Sequence, residues 1–376
     1  MKESRREILP ILFLIILMIA LFGLAIFVET GITGLAVTDD QTTLPTEEQI
    51  NVSAPQNLYS GEPEFTAKMA GSGTAGDPFQ ITNCTELNAT RDNLTAYYIL
   101  MNNIDCSGWN GGAGFEPIGE NFTGNFNGDE YNITDLYIDM SSDYVGLFQK
   151  LKGSNVTDLG LVGVSVTGYN YVGGLAGYIF SYAFVDNAYV GGDVEGEEYV
   201  GGLVGYVKQS TVNNSNSAAA VTGYSYIGGM VGYIYASQLD NSYASGNVTG
   251  ENNVGGLVGA NGAYSSVDNS YASGDVDGNE YVGGLIGMSD DYASVDNSYA
   301  SGVVTGYRHV GGLVGYNGDY STIDNSYASG DVSGEYNIGG LVGYNAGDAS
   351  VDNSYANGTV TGDMYVGGLV GYNAEY

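Results

Sequence analysis

The sequence predicts an all-β fold, a parallel β-helix or β-solenoid of about eight coils, and three observations carry the prediction. A Gly-Gly-Leu-Val-Gly phrase recurs every 27 or 28 residues. Three aliphatic positions keep constant gaps of nine and six residues through seven successive repeats. Gly and Asn interrupt every segment of the repeats, and no stretch keeps helical spacing over ten or more residues.

The recurring phrase sets the register of the coils. Its second glycine lies at Gly174, Gly202, Gly229, Gly256, Gly284, Gly312, Gly340 and Gly368, and a degenerate copy precedes these at residues 145–148. The aliphatic positions of one repeat are Val267, Val276 and Val282. Constant gaps are needed because a slip of one residue would turn a strand inside out. Repeat length varies after Gly-Tyr, as in residues 317–322, which predicts an outward loop there.

An apolar segment near the N-terminus predicts a membrane anchor. Residues 8–28 are long enough for one transmembrane helix, and a cleaved or uncleaved signal peptide is the alternative. Basic residues precede this run and acidic residues follow it. The positive-inside bias therefore predicts a cytoplasmic tail at residues 1–7 and a single-pass cell-membrane protein whose C-terminal region is extracellular.

The remaining chain divides into three parts by composition. Residues 29–70 are rich in Thr, Glu, Gln, Pro and Ser, which predicts a flexible stalk. Residues 71–145 form a β-rich lead-in, or N-terminal cap, and residues 146–376 are the repeat solenoid. The sequence stops partway through a repeat, so we expect an exposed aliphatic layer on the last coil. That layer predicts either a truncated reading frame or end-to-end self-association at the C-terminal coil.

The charge balance excludes one class of partner. The formal net charge is −34, from 43 acidic and nine basic residues. Nucleic-acid binding requires many phosphate-neutralising cations, so no nucleic-acid partner is expected. Such acidity suits an extracellular protein in saline or calcium-containing surroundings, although solubility alone is the simpler explanation.

Two cysteines and a cluster of sequons fit an exported chain. Cys84 and Cys106 predict one disulfide in an oxidising compartment, with two separate buried thiols as the alternative. Asn-X-Ser/Thr motifs are possible glycosylation sites. The candidates cluster at Asn51, Asn83, Asn88, Asn93, Asn121 and Asn132.

The repeat resembles the GLUG motif, a glycine-rich repeat of prokaryotic surface proteins. Gly-Gly-Leu-Val-Gly and the following Asp-Asn-Ser-Tyr-Ala-Ser-Gly-Asp-Val carry the resemblance, and the lead-in of residues 71–136 is similar to one found in that group. The resemblance implies a β-helical solenoid for surface display or adhesion, or an accessory module beside an enzyme. Some relatives join the repeat to a zinc peptidase, but no His-Glu-X-X-His motif is present here.

Rows of Asp and Asn side chains and two rows of Tyr side chains, one through Tyr271 and one through Tyr281, should run along the stacked coils. Asp residues recur at Asp240, Asp268, Asp296, Asp324 and Asp352. They are weak Ca²⁺ candidates, and Asx turns at coil corners are the alternative. The neighbouring Asn row, which includes Asn269 and Asn297, predicts a buried or half-buried amide ladder. Tyrosine rows predict either sugar stacking or stacking of the rings on one another.

These features predict a membrane-anchored surface protein for adhesion or cell-envelope structure. Its partners would be the membrane, through residues 8–28, and surface glycans or other cell-surface proteins. The alternative function is a polysaccharide-acting β-helix enzyme, a lyase or hydrolase. The coils are nearly uniform, and no catalytic residue or firm cofactor site is predicted in them.

Overall fold

The computed structural model describes residues 69–109 and 111–374, which form an all-β parallel solenoid. The solenoid makes about ten turns, and 4% of the described residues are helical. The predicted tail, the membrane helix at residues 8–28 and the stalk up to residue 68 lie outside the described residues. Within the described ranges, no helix is long and apolar enough to cross a membrane.

Three parallel sheets run along the solenoid, and sheet 1 has 26 strands. Its lead-in strands are Phe79–Ile81, Tyr97–Leu100, Ile104–Asp105, Asn125–Asn127, Asn132–Thr134 and Tyr137–Asp139. Its two long strands are Asn155–Thr167 and Phe184–Glu195. The later strands of sheet 1 come three to a coil and are Thr211–Asn213, Asn216–Ser217, Ala220–Thr222, Gln238–Asp240, Tyr243–Ala244, Val248–Thr249, Ser266–Asp268, Tyr271–Ala272, Val276–Asp277, Ser294–Asp296, Tyr299–Ala300, Val304–Thr305, Thr322–Asp324, Tyr327–Ala328, Val332–Ser333, Ser350–Asp352, Tyr355–Ala356 and Val360–Thr361.

Sheets 2 and 3 flank the Gly-Gly-Leu phrase. Sheet 2 precedes it, with the strands Asn170–Gly173, Glu198–Gly201, Ser225–Gly228, Asn252–Gly255, Glu280–Gly283, Arg308–Gly311, Tyr336–Gly339 and Met364–Gly367. Sheet 3 follows it, with the strands Phe148–Lys152, Ala176–Phe180, Val204–Lys208, Val231–Tyr235, Val258–Asn261, Ile286–Ser289, Val314–Asn317, Val342–Asn345 and Val370–Asn373. Among the described residues, the helical segments lie in the lead-in and are Cys84–Asn88, Ala89–Asp92 and Ser107–Trp109.

The predicted register is confirmed. Val267 pairs with Val295 in the next coil, and Val282 pairs with Val310. The three aliphatic series are at most 1% exposed in every coil before the last. Side chains of each series therefore stack into continuous layers, with coils about 4.8 Å apart.

The lead-in is part of the solenoid, which explains why there are about ten turns and not eight. Its strand Phe79–Ile81 pairs with Tyr97–Leu100, which pairs with Asn125–Asn127, and that strand pairs with the first repeat. The interior differs there, because the lead-in core is aromatic where the repeats are aliphatic. Phe122 and Phe148 lie 5.0 Å apart between ring centroids, and both are fully buried.

The repeated glycines are required for close approach of neighbouring coils. A Cβ on Gly284 would lie 2.1 Å from the Gly312 carbonyl oxygen, and neither glycine has a positive φ. The left-handed corners are occupied by Asn269, at φ 49°, and Tyr281, at φ 57°. The turns of each coil therefore depend on Asn and Tyr, while the glycines let backbones pack against each other.

The predicted outward loop is confirmed at its tip, whereas residues on both sides of the tip are buried. In residues 317–322, Tyr320 is 50% exposed. Asn317 and Ser321 are fully buried.

The last coil exposes part of its aliphatic layer. Val366 and Leu369 are 43% and 41% exposed, whereas the equivalent residues in inner coils are buried. End-to-end association there stays a prediction.

Candidate functional site: polar ladders and tyrosine rows

The Asn row lies on the surface, so its predicted burial is wrong. Asn269 and Asn297 are exposed, and their backbones have the left-handed conformation, with φ 49° and 50°. Asn tolerates this conformation better than most residues, which explains the unbroken series. The expected bonding between coils is present in another form: Asn297 Nδ2 donates to Asp268 Oδ1 of the preceding coil at 2.9 Å.

The same bonds reduce the repulsion within the Asp row but do not remove it. Amide donors from the Asn row reach Asp158, Asp186, Asp240, Asp268 and Asp324. Burial, followed by the neighbouring Asp268 and Asp324 carboxylates, raises the pKa of Asp296. Across residues 69–109 and 111–374, no three His, Cys, Asp or Glu side chains converge as a metal site requires. Calcium at Asp240, Asp268, Asp296, Asp324 and Asp352 stays a prediction.

A buried serine ladder follows the Asn row, and sequence reasoning missed it. Ser270 Oγ donates to the Asp268 carbonyl at 2.7 Å and accepts the Ser242 N–H at 3.1 Å. The next coil repeats the pattern with Ser298. Each hydroxyl thus satisfies one backbone donor and one acceptor at a buried corner, a role that the recurring Ser of Asp-Asn-Ser could have signalled.

A second ladder of amides is buried at the end of sheet 3. Asn317 Nδ2 donates to Asn345 Oδ1 at 2.8 Å, and Asn345 Nδ2 donates to Asn373 Oδ1 at 2.9 Å. Asn261 occupies the same position in an earlier coil and donates to Ser289. A buried amide ladder therefore exists, but it lies at the C-terminal end of the sheet 3 strands and not beside the Asp row.

The tyrosines of sheet 1 stack on one another, as one of the two alternatives predicted. Tyr243 and Tyr271 have ring centroids 4.8 Å apart and an interplanar angle of 2°. The same spacing continues through Tyr299, Tyr327 and Tyr355. Stacking at the coil spacing covers ring faces and leaves edges and hydroxyls outward.

A second row lies on sheet 2 in a strained conformation. Tyr171, Tyr199 and Tyr226 have φ between 57° and 59°, and successive rings lie 4.8 Å apart. A left-handed bulky residue costs on the order of 1–2 kcal/mol. Stacking offsets part of this, at about 0.5–1.5 kcal/mol per pair. Asn253 and Asn337 occupy the position in other coils, so the ring is not required by the fold.

The sheet 2 row meets a third row, on sheet 3, which sequence reasoning missed. Tyr206 and Tyr233 are 5.1 Å apart, and Tyr233 meets the edge of Tyr226 at 5.6 Å. The two rows line a cleft of about 380 Å³. Its walls are Tyr144, Tyr171, Tyr178, Tyr199, Tyr206, Tyr226, Tyr233 and Tyr235.

Burial raises the pKa of several hydroxyls in this cleft. Burial, with smaller effects of Tyr226, Tyr171, Glu198 and Tyr233, raises the pKa of Tyr199 to about 12. Burial also raises the pKa of the other tyrosines Tyr171, Tyr178, Tyr206 and Tyr233. The cleft therefore offers hydroxyl donors and acceptors on aromatic walls.

His309 replaces tyrosine in the sheet 2 row. It stacks on Tyr281 at 5.1 Å, and Asn337 Nδ2 donates to its Nδ1 at 3.0 Å. Burial, with a smaller effect of Arg308, lowers its pKa to about 4. The imidazole is therefore neutral at pH 7 and is a structural member of the row.

The lead-in contains the predicted disulfide. Cys84 and Cys106 are bonded, with Cα atoms 5.4 Å apart. Of the sequon asparagines, Asn51 lies outside the described residues. Asn83, Asn93 and Asn121 are exposed, whereas Asn88 and Asn132 are half-buried. Glycosylation of these residues stays a prediction.

Comparison with known proteins agrees with the fold. The family described as the GLUG motif matches residues 223–249, 250–277, 278–305, 306–333 and 334–361. Halomucin of Haloquadratum walsbyi is 41% identical over 129 residues, which are 30% of this chain and 1% of halomucin. A Gly-rich membrane protein of Evansella cellulosilytica is 39% identical over 117 residues, 28% of this chain and 13% of that protein. The chain thus spans a small part of these relatives.

Two solved structures align with this chain at low identity. An immunoglobulin A1 protease of Bacteroides ovatus aligns with a TM-score of 0.47 and 23% identity, over 80% of this chain and 86% of that one. Another IgA1 protease aligns with a TM-score of 0.47 and 18% identity, over 76% and 21% of the two chains. Residues 223–361 hold five GLUG motif repeats in tandem, within a parallel β-solenoid.

Proposed function

We propose that this protein is a cell-surface repeat protein that acts in adhesion or cell-envelope structure. The observation that carries the proposal is the tyrosine row of sheet 2. Tyr171, Tyr199 and Tyr226 keep bulky rings at left-handed positions that Asn occupies elsewhere in the same solenoid. Strain retained where the fold does not need it points to a role for the ring surface. One relative is named as a membrane protein, which supports a place at the cell surface.

The mechanism of adhesion would be multivalent contact along a stiff scaffold. About ten turns at about 4.8 Å give a solenoid roughly 48 Å long. Tyrosine edges and hydroxyls recur along it at the coil spacing, so weak contacts with a repetitive surface ligand add up. Residues 8–28 would anchor the chain, with the solenoid outside. Protease treatment of intact cells tests that orientation, because it should remove the solenoid and leave an anchored fragment.

Binding to glycan arrays and to whole cells tests the proposed function. In Tyr199→Asn the ring is lost, and Asn253 shows that the fold accepts Asn at this position. The matched control is Tyr243→Asn in the sheet 1 row, where Asn216 occupies the paired position. We expect Tyr199→Asn to weaken binding roughly fivefold, as loss of about 1 kcal/mol implies, with a smaller effect of the control. Equal effects of both variants would contradict a role for this row.

The purified protein used for the binding assays also tests the alternative function, a polysaccharide-acting enzyme. Incubation with acidic and neutral glycans should give no new reducing ends or unsaturated products. Turnover that disappears in Asp268→Asn would instead favour the enzyme over the adhesin.

A further inference from the structure

Four coils of sheet 3 differ from the rest. Their strands, Phe148–Lys152, Ala176–Phe180, Val204–Lys208 and Val231–Tyr235, have five residues each. From Val258–Asn261 onward the sheet 3 strands have four residues. The extra position carries an additional outward column whose members pair in register, Lys152, Phe180, Lys208 and Tyr235.

The neighbouring outward column forms one wall of the tyrosine cleft. It contains Lys150, Tyr178, Tyr206 and Tyr233, also paired in register. Both walls lose their aromatic ring in the same coil, at Asn253 and Ala260, so the cleft ends there. The cleft and the extra column therefore occupy one stretch of the solenoid, largely before the matched repeats, although aromatic rings resume on the two sheets at Tyr281 and Tyr316.

Three lysines lie on this surface without a carboxylate partner. Past residue 40 the chain has six basic residues, and three of them are Lys150, Lys152 and Lys208. In residues 69–109 and 111–374 the ion pairs join Arg91 to Glu116 and Arg308 to Glu280, and none includes a lysine.

Two of the lysines lie close to tyrosine rings at the cleft. Lys150 Nζ lies 3.8 Å from the centroid of the Tyr144 ring, and Lys208 Nζ lies 5.7 Å from that of Tyr235. Both tyrosines line the cleft. Unpaired lysines on a chain with net charge −34 form a local site for an anionic ligand.

The opposite rim has different chemistry. Asp143 and Glu198 lie near Tyr171 and, after burial and Tyr144, contribute to its raised pKa. A ligand in the cleft would therefore direct its carboxylates to the lysine side and its hydroxyls to the acidic side. A bare polyanion without hydroxyls or sugar rings would use only one rim.

We propose that this lysine-edged tyrosine cleft binds a linear, carboxylated polysaccharide of a cell surface. The cleft runs along the solenoid axis over four coils, about 14 Å, which suits a linear chain. Lys152 and Lys208 lie two coils apart, about 9.6 Å, and a polyuronate presents its carboxylates at regular intervals along one chain. The tyrosine walls supply the contacts for sugar rings. This inference rests on the proposed function and names its ligand class.

The test uses the full chain in nonionic detergent and titrates it with polygalacturonate. The matched ligand control is the fully methyl-esterified polymer, which has the same backbone without charge. The variant is Lys208→Gln, and its control is Arg308→Gln, which removes the same charge outside this cleft. We expect the charged polymer to bind more tightly, and Lys208→Gln to raise its Kd about 2- to 5-fold at low salt while Arg308→Gln leaves it unchanged.

The outcomes separate this inference from the proposed function. Equal binding of the charged and esterified polymers, or equal effects of the two variants, would overturn the lysine-edged site and leave adhesion intact. Tighter binding of poly-glutamate than of polygalacturonate, or concentration-dependent self-association abolished by Lys208→Gln, would replace the glycan with an acidic protein partner. Absence of binding to every glycan and to cells would sink both proposals.

Discussion

The serine ladder gives a sharp test of how the coils are held together. We consider Ser270→Ala, which removes a hydroxyl that is 1% exposed and changes volume little. Ser242 N–H then loses its acceptor at 3.1 Å. The Asp268 carbonyl also loses a donor at 2.7 Å but keeps the Asn241 N–H at 3.2 Å. One buried donor is therefore left without a partner.

The expected cost follows from that single orphaned donor. Leaving a buried N–H unsatisfied costs about 1–3 kcal/mol. For a chain of this size the entropy of unfolding is on the order of 0.7 kcal/mol/K, so such a loss lowers the melting temperature by about 2–5 °C. The matched control is Ser273→Ala, three residues away and exposed, which should change stability by less than about 0.5 kcal/mol.

Thermal unfolding of residues 65–376 by circular dichroism measures the global effect. Amide hydrogen exchange measures the local effect, and we expect faster exchange at Ser242 in the coil before the substitution. If Ser270→Ala were as stable as Ser273→Ala, with unchanged exchange at Ser242, the ladder would contribute nothing and the reasoning would be refuted.

Three further predictions follow from the glycines, the left-handed corners and His309. Gly284→Ala should destabilise the solenoid by about 1–3 kcal/mol in urea unfolding because its Cβ would meet the Gly312 carbonyl, whereas Gly76→Ala, with open space around it, should be neutral; equal midpoints would contradict the close-approach role. Asn269→Val should cost about 1–2 kcal/mol by the same assay because φ is 49°, while Asn269→Gly should be tolerated, and the reverse order would argue against a conformational role. His309 has a folded pKa near 4 against 6.5 unfolded, so the unfolded state binds the proton first; stability should be full above pH 6.5 and fall as pH drops towards 4, and His309→Asn should remove that component of the pH dependence in melting temperatures. An unchanged pH profile in His309→Asn would show that other groups cause it.

The sequence by itself determined the features that depend on a constant period. The 27–28-residue spacing and the constant gaps between Val267, Val276 and Val282 determine a parallel solenoid with these side chains inside, because only that register repeats in every coil. Two cysteines before the repeats leave one intramolecular pairing, and Cys84 and Cys106 form it.

Only the tertiary structure decided what residues from different coils and sheets do together. The lead-in has no regular period, so its membership in the coils was not visible in the chain. Asn297 bonds Asp268 of the preceding coil because a left-handed corner turns its amide outward, which spacing alone does not reveal. The cleft arises because Tyr199 and Tyr206, on different sheets, meet across a turn at 5.8 Å. The physical reason is that period fixes contacts between equivalent residues, whereas contacts between non-equivalent residues depend on the angles at the corners.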